Sequence, residues 1–418
     1  MYQILKWAKK IFPFNRSLTG KGNLQTLNFI KDINKNLKIK YFKSGKKVFD
    51  WIVPKEWNVE EAYFIDSVGK KFCDFKKNNL HLVGYSCFVD KFVSKKELFQ
   101  HLHTDENKKN AIPYVTSYYH RNWGFCISKN EKNKIKGNKF KVKINSSFKK
   151  GRMHYGEALI KGKQKKEIFF STYICHPSMA NNETSGICVT TALLKYISEK
   201  YKKTKYSYRF VFLPETIGSI SYINKNLKIM KKNVLAGFNI SCVGDERAYS
   251  IIHSRKGNTL ADFALLSAIR DKKNFKKYSF LDRGSDERQY CSVGVDLPVV
   301  GFCKSRYGSF SEYHTSLDNF KVVTEKGLKD SLQVLTNIVD TFEMGYLPKA
   351  KFLCEPQLSK RNLYPKISKK INQVKLIRDL IAYSDGKISI FENCLRFNCN
   401  LKDLLDTYRI LKTKGLIN

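Results

Sequence analysis

Acidic residues are scarce in this sequence: 37 Asp and Glu stand against 77 Lys and Arg, for a formal net charge of +40. Such an excess ordinarily points to nucleic acid or an anionic surface. Here it is spread along the chain in runs such as Asn107-Lys108-Lys109-Asn110, Lys132-Asn133-Lys134 and Lys202-Lys203-Thr204-Lys205. Mixed with Asn and Ile, these runs reflect a compositional bias and imply a solvated basic surface. Proline is rare as well, at 9 residues, and 42% of the chain is apolar with 13% aromatic, which excludes a mainly disordered protein. No two cysteines form a CxxC pair, and their total of eleven is odd. This argues against a disulfide scaffold or a thiolate zinc site and for reduced, buried thiols in the cytoplasm. Long apolar runs are also missing. Met1 to Phe14 alternates apolar and basic residues as an amphipathic helix does, without the apolar core and cleavage site of a signal peptide. Neither a membrane span nor a membrane partner is expected.

At 418 residues two or three units are expected. From Lys166 onward the hydrophobic pattern alternates in type, which is the signal of strands and helices in turn. Strands are expected at Ile168 to Cys175, Tyr206 to Leu213, Val234 to Ser241 and Asp296 to Cys303. Helices are expected at Gly186 to Tyr201, Ser219 to Met230, Thr259 to Arg270 and Thr324 to about Met344. These make a three-layer α/β unit, to which Leu24 to Leu37 adds a helix. Residues 51–162 differ in texture, with short aromatic and β-branched runs at His81 to Phe88, Tyr114 to Tyr119 and Phe140 to Ile144. They read as a small β-rich domain inserted into a core made of 1–50 and 163–355. Residues 362–418 give three helical patterns, Gln373 to Tyr383, Ile388 to Phe397 and Leu401 to Lys414, the outline of a winged helix. A docking or dimerisation role suits that unit better than base reading, so nucleic acid is not expected as a partner, whereas a homo-oligomer is compatible with it.

Three places put ligand-type residues directly after a predicted strand, the edge at which sites form in open α/β sheets. The first is Cys175-His176-Pro177-Ser178-Met179-Ala180-Asn181-Asn182-Glu183-Thr184-Ser185-Gly186, an imidazole followed by an oxygen-rich turn that opens a helix. It offers a nitrogen and an oxygen ligand to a borderline cation. The second is Leu213-Pro214-Glu215-Thr216-Ile217-Gly218-Ser219. A carboxylate at a low-dielectric sheet edge has a raised proton affinity, which suits a general base. The third is Glu312-Tyr313-His314-Thr315-Ser316-Leu317-Asp318, in which His314 is a second imidazole and Asp318 a residue to orient the ring. Two further acidic clusters, Gly244-Asp245-Glu246-Arg247 and Ser285-Asp286-Glu287-Arg288-Gln289-Tyr290, lie between them.

These motifs together resemble the zinc aminopeptidase and glutaminyl cyclase superfamily. More closely, the chain resembles bacterial proteins that have an aminopeptidase-like domain, a small inserted domain and a C-terminal winged helix, often encoded among polysaccharide-biosynthesis functions. The matching stretches include Phe12-Pro13-Phe14-Asn15-Arg16-Ser17-Leu18-Thr19-Gly20, Asp50-Trp51-Ile52-Val53-Pro54-Lys55-Glu56-Trp57, Tyr118-Tyr119-His120-Arg121-Asn122-Trp123-Gly124-Phe125-Cys126 and Asp286-Glu287-Arg288-Gln289-Tyr290-Cys291. The resemblance implies a zinc-exopeptidase-like core with a mixed sheet. In the superfamily two zinc ions share a bridging Asp and a Glu-Glu pair supplies base and ligand; here those places hold Asn182 and Thr216, and Ser241 stands where another Asp is expected, with Asp245 four residues on. Fewer anionic ligands imply one zinc rather than two.

The expected ligands are therefore His176, Asp245, His314 and Asn182, with Glu215 as base and Asp318 behind the ligands. Arg247, Asp286, Glu287, Arg288, Tyr313 and His120 are the expected substrate contacts, with Glu312, Glu287 or Glu183 available for a substrate ammonium. The function expected is hydrolysis of an amide or peptide bond, on a small peptide or on an aminoacyl or N-acyl sugar. Two alternatives come from other classes: a binding protein that keeps the fold without turnover, and a nucleic-acid-binding regulator acting through the winged helix.

Overall fold

The computed structural model describes residues 2–364 and 371–418. Eight strands form the main sheet: β1 (Lys38–Lys43), β2 (Arg152–Ile160), β3 (Glu167–Tyr173), β4 (Ser207–Leu213), β5 (Val234–Ile240), β6 (Tyr249–Ile252), β7 (Phe275–Tyr278) and β8 (Val299–Cys303). Their order is β1-β2-β4-β3-β5-β8-β6-β7. The central four, β4, β3, β5 and β8, run parallel, while β1, β2 and β6 pair antiparallel to their inner neighbours. The fold is thus three-layered α/β with a mixed sheet, as expected. β6 and β7, the latter at the sheet edge, are short strands that the hydrophobic pattern did not reveal.

Every residue of β3 and β4 is buried, which follows from helices and the inserted unit covering both faces. On one face, Phe170 stacks between Phe210 and Phe238 of the flanking strands at 4.9 and 5.5 Å. That face carries the helices Ile4–Ile11, Gly186–Lys200, Leu260–Ile269 and Glu325–Met344. The other face, with Phe169, Tyr173, Val211 and Leu213, meets the helix Ile217–Asn233 and shares one core with residues of the inserted unit, Phe64, Phe125 and Phe140 among them. Gly186 opens its helix where a side chain would meet the Ile240 carbonyl oxygen and the Thr172 hydroxyl at 2.8 Å each. Its lack of a Cβ lets the helix sit directly on the strands.

The inserted unit has its own four-stranded sheet, in the order Lys71–Phe72, Glu56–Ile65, Lys139–Lys149, Val89–Ser94. Arg152–Ile160, expected inside this unit, is instead β2 of the main sheet, hydrogen-bonded to β1 and β4 along its length. The boundary expected at 162 therefore lies before Arg152. His81 to Phe88 and Tyr114 to Tyr119 form no strand and make only isolated bridges, Leu82 to Phe125 and Gly84 to Thr116.

The C-terminal helices are Ile371–Ala382, Ile390–Arg396 and Leu401–Thr413. Residues 365–370, within the range expected for this unit, lie outside the described residues. Bridges from Lys349 to Asp385 and from Ala350 to Ile417 tie the preceding segment into it, so the unit starts earlier than residue 362. Arg270, at the end of the core helix Leu260–Ile269, donates to the Leu395 and Cys399 carbonyls at 3.2 and 3.1 Å.

One buried charge cluster braces β2, β3 and β4. Arg209 donates to both carboxylate oxygens of Glu167 at 2.6 and 2.8 Å and to Glu157 at 2.7 Å, and Tyr222 donates to the same Glu157 oxygen at 2.5 Å. Removing Arg209 leaves the buried Glu167 without a cation and Glu157 with Lys40 alone. Arg209→Met should therefore lower the unfolding free energy by about 3–5 kcal/mol, read as a reduced urea midpoint.

Candidate active site

Beyond β3 the chain continues through Ile174 and Cys175 to His176, beyond β4 through Pro214 to Glu215, and the loop after β8 brings His314 to the same edge. The imidazoles of His176 and His314 have ring centroids 5.4 Å apart. His176 Nε2 is 3.9 Å from Glu215 Oε2. On its other side, His176 Nδ1 is 3.5 Å from Cys175 Sγ and 3.9 Å from Glu183 Oε2. Tyr114 closes the space between the two imidazoles, its ring 5.2 Å from each. Tyr313 stacks on His314 at 3.9 Å.

The backbone at this edge is unusual. Ser178, Thr216, Cys242 and His314 have φ values of 47°, 62°, 52° and 55°, a region that residues with a Cβ rarely adopt. For the β-branched Thr216 the cost is about 1–3 kcal/mol, and three bonds hold it there. Its N–H and the Ser219 hydroxyl both donate to Asp286 Oδ1, at 2.8 and 2.7 Å, and its hydroxyl accepts from Arg288 at 2.6 Å. This turn swings Glu215 over the end of the sheet, where its N–H donates to Cys175 Sγ at 3.3 Å.

Burial dominates the electrostatics. The proton affinity of His176 is pushed well down by desolvation and then by His314, and that of His314 falls to about 4 by burial; both imidazoles are therefore neutral near pH 7. The carboxyl groups move the other way. Glu215 rises to about 8, through desolvation and then Asp286, and Asp286 rises to about 6. Asp318 rises to about 7 and Glu183 well above the carboxylate range, again by desolvation first. Arg16 opposes the shift at Glu183.

Neutral imidazoles beside carboxyl groups short of counter-charge suit a divalent cation, and the unpartnered atoms agree. His314 Nε2, Asn182 Oδ1 and Glu183 Oε2 are buried without a hydrogen-bond partner, a costly state for polar groups unless a further ligand satisfies them. Cys175, His176 and Glu215 each have a ligand atom within 4.8 Å of the others'. The donor set of imidazole, amide oxygen and carboxylate suits a borderline cation such as zinc.

Several expected residues do other work. Asp245, an expected ligand, has both oxygens occupied: Oδ1 accepts from the Arg247 N–H and the Ser305 hydroxyl, Oδ2 from Asn181 Nδ2 and the Ser305 N–H, at 2.8–3.0 Å. It braces the loops and has no free lone pair aimed at the histidines. Arg247, expected to hold substrate, forms a two-pronged pair with Glu312 at 2.8 Å per prong. Glu312 is thereby engaged as well. Glu287 is fully buried and accepts from Asn239, Gly284, Ser285 and Tyr307, so it faces no substrate. Asp286 and Arg288 hold Thr216, as described. Asp318 accepts from the N–H groups of Asn181 and Asn182 at 2.7 Å, shaping the Asn182 turn rather than the His314 ring. His120 is exposed and lines a separate cavity in the inserted unit.

Other contributors were not read from the sequence. Tyr114 is reached through main-chain pairing: its N–H donates to the His314 carbonyl, and Ser316 N–H donates to the Ile112 carbonyl, at 2.8 and 2.9 Å. Arg16, buried, donates to the His176 carbonyl at 2.9 Å and to the Thr184 hydroxyl at 2.8 Å. Its only signal was its place in the stretch Phe12 to Gly20.

Residues 5–345 match a family model described as a domain of unknown function, DUF4910. The chain belongs to this family. Residues 347–418 match a winged helix-turn-helix model, in agreement with the bridges from Lys349 and Ala350. A relative from Clostridium acetobutylicum, provisionally named a polysaccharide biosynthesis protein with an aminopeptidase-like domain, is 41% identical over 87% of this chain and 83% of its own length. A crystal structure from the same organism, provisionally described as a peptidase, superposes with a TM-score of 0.91 at 36% identity, over 100% of this chain and 96% of that one. The zinc aminopeptidase of Bacillus subtilis shares the fold alone: its TM-score is 0.55 at 12% identity, over 80% of this chain and 92% of its own. This DUF4910 protein therefore has an aminopeptidase-like domain followed by a winged helix.

In this DUF4910 protein the Arg247–Glu312 clip fastens the loop that carries His314, and it should respond to pH. Glu312 is lowered from 4.5 to about 2, first by its hydrogen bond with Arg247. A lowered folded-state value means stabilisation that is present above the unfolded value and lost as pH falls through the folded one. The melting-temperature gap between wild type and Arg247→Met should be full above pH 5 and shrink between about 4.5 and 2. A gap independent of pH would dismiss the clip.

Proposed function

We propose that the protein is a hydrolase of amide bonds that uses one zinc ion, with Glu215 as general base. One observation carries this reading: two neutral imidazoles from distant loops, one buried and one half-buried, lie 5.4 Å apart at the carboxyl edge of the sheet, and the Glu215 carboxyl is 3.9 Å from one of them. His176 and His314 would hold the ion, with the unpartnered oxygen of Asn182 as a weaker third donor; Asp245 is left out because its oxygens are taken. Zinc held there supplies Lewis acidity toward a carbonyl and lowers the proton affinity of water.

Glu215 has the proton affinity that a base working near neutrality needs. Desolvation keeps its carboxyl from being a weak, fully solvated anion, and Thr216 and Asp286 fix its turn. It takes a proton from the attacking water and returns it to the leaving amine. Cys175 Sγ, 3.5 Å from His176 Nδ1, orients that ring. Tyr114 and Tyr313 keep water from the flanks of the imidazoles. The name of the Clostridium relative adds support for an N-acyl or aminoacyl sugar, or a small peptide, as substrate.

A second reading is favoured by Asn182 and Thr216, which stand where the resemblance places anionic ligands: a binding protein that keeps the fold without turnover. A nucleic-acid regulator is disfavoured, because the outer face of the helix Leu401–Thr413 exposes Asp403 and Asp406 beside Lys402, Arg409 and Lys412, and carboxylates repel phosphate.

Elemental analysis of the purified protein should find about one zinc per chain, lost in His314→Ala. Glu215→Gln should keep the metal while hydrolysis of aminoacyl and N-acyl sugar amides falls by about 10²–10⁴-fold. Purified protein that carries no metal and takes up none on titration would remove the enzyme reading in favour of the binding one.

A further inference from the structure

The inserted unit holds a cavity of about 560 Å³, within the range of small-molecule sites. Its walls are aromatic, with Tyr85, Phe88, Tyr118 and Phe148 among them. Its rim carries Lys55, His120 and Arg121, and no Asp or Glu lines it. Phe88 is 61% exposed, a large apolar ring left in water at the mouth of a pocket.

Two tyrosines link the wall of this cavity to the histidine pair. Tyr118, which lines it, shares a hydrogen bond between hydroxyls at 2.8 Å with Tyr114, whose ring lies 5.2 Å from both imidazoles. The segment carrying both tyrosines is the one that pairs with the loop of His314: Pro113 bridges Thr315, and Tyr114 N–H donates to the His314 carbonyl. A molecule filling the cavity thus touches a wall one residue away from the candidate catalytic ring.

Aromatic faces without hydrogen-bonding demands accept the C–H faces of a ring sugar, and cations without carboxylates accept an anion on it. We propose that this cavity binds an anionic sugar unit, a hexuronate or a sugar phosphate, against the segment that pairs with the His314 loop. The sugar site itself rests on the cavity.

Binding to the full-length protein is measured by saturation-transfer NMR and calorimetry with three probes: methyl glucuronide, glucose 1-phosphate and neutral methyl glucoside. At least one anionic probe should bind tenfold or more tightly than the neutral one. Preference for the glucuronide would identify a carboxylate ligand, and preference for the phosphate a sugar phosphate. Arg121→Ala should weaken the anionic probe about tenfold and leave the neutral one unchanged, and Phe88→Ala should weaken all three. Both positions are exposed, and unchanged melting temperatures confirm intact folding. Equal affinity for charged and neutral probes, no binding at all, or full binding in both variants overturns the inference. The two readings fail separately: sugar binding by wild-type protein that takes up no metal and hydrolyses no amide keeps this site and discards the catalytic one.

Discussion

Four carboxyl groups, those of Glu183, Asp286 and Asp318 wholly and that of Glu215 for the most part, are taken out of water at one end of a sheet in a chain with +40 net charge. Almost none of that positive charge reaches them. Arg16 stands beside Glu183 and Arg288 beside Glu215 and Asp286, and the described lysines other than the buried Lys304 stay at or near the surface. The carboxyl groups must therefore be stabilised by N–H and O–H donors, by keeping their protons, or by a cation from outside. Asp318 and Asp286 use the first means, accepting from the N–H groups of Asn181, Asn182 and Thr216 and from the Ser219 hydroxyl. Glu215 and Glu183 have fewer such partners, and they are the two nearest His176.

The surrounding structure can be understood as what keeps this arrangement from relaxing. Left-handed backbone at Ser178, Thr216, Cys242 and His314 would open if the loops were free. Each loop is instead anchored by an element distant in sequence: the His176 carbonyl by Arg16, Thr216 by Asp286 and Arg288, and the His314 loop by the Arg247–Glu312 clip and by the main chain of residues 112–114. The inserted unit thereby contributes main-chain hydrogen bonds to a loop of the core and shares a hydrophobic core with it.

The sheet edge was legible in the sequence because strand ends carry the site in this class of fold: a buried apolar run followed by His176, and another followed by Glu215, can be read from local pattern. His314 was legible by its company, Tyr313 before it and Asp318 after it. Other roles depend on hydrogen-bond partners that the sequence does not reveal. Asp245 looked like a ligand by position, but only the fold shows that Asn181 and Ser305 occupy its oxygens. Tyr114 and Arg16 lie 62 and 160 residues from His176, and no periodicity links them to it. β6 and β7 were missed for a different reason: they are four-residue strands, and β7 is largely exposed at the sheet edge, so neither carries a burial pattern long enough to see.

Asn182 is where these threads meet. The resemblance places a shared Asp at this position, which would add a fifth carboxylate to a pocket whose existing four already hold their protons too tightly. An amide keeps an oxygen at the same place, and that oxygen is buried with no partner, while its nitrogen donates to Tyr173 at 2.6 Å. The exchange relieves like-charge repulsion and leaves a neutral donor, weaker for any dication and weakest for a second one, whose binding depends on bridging negative charge. On the proposed hydrolase reading, a site short by one anion here, and by another at Thr216, would balance one ion with the carboxyl groups that remain.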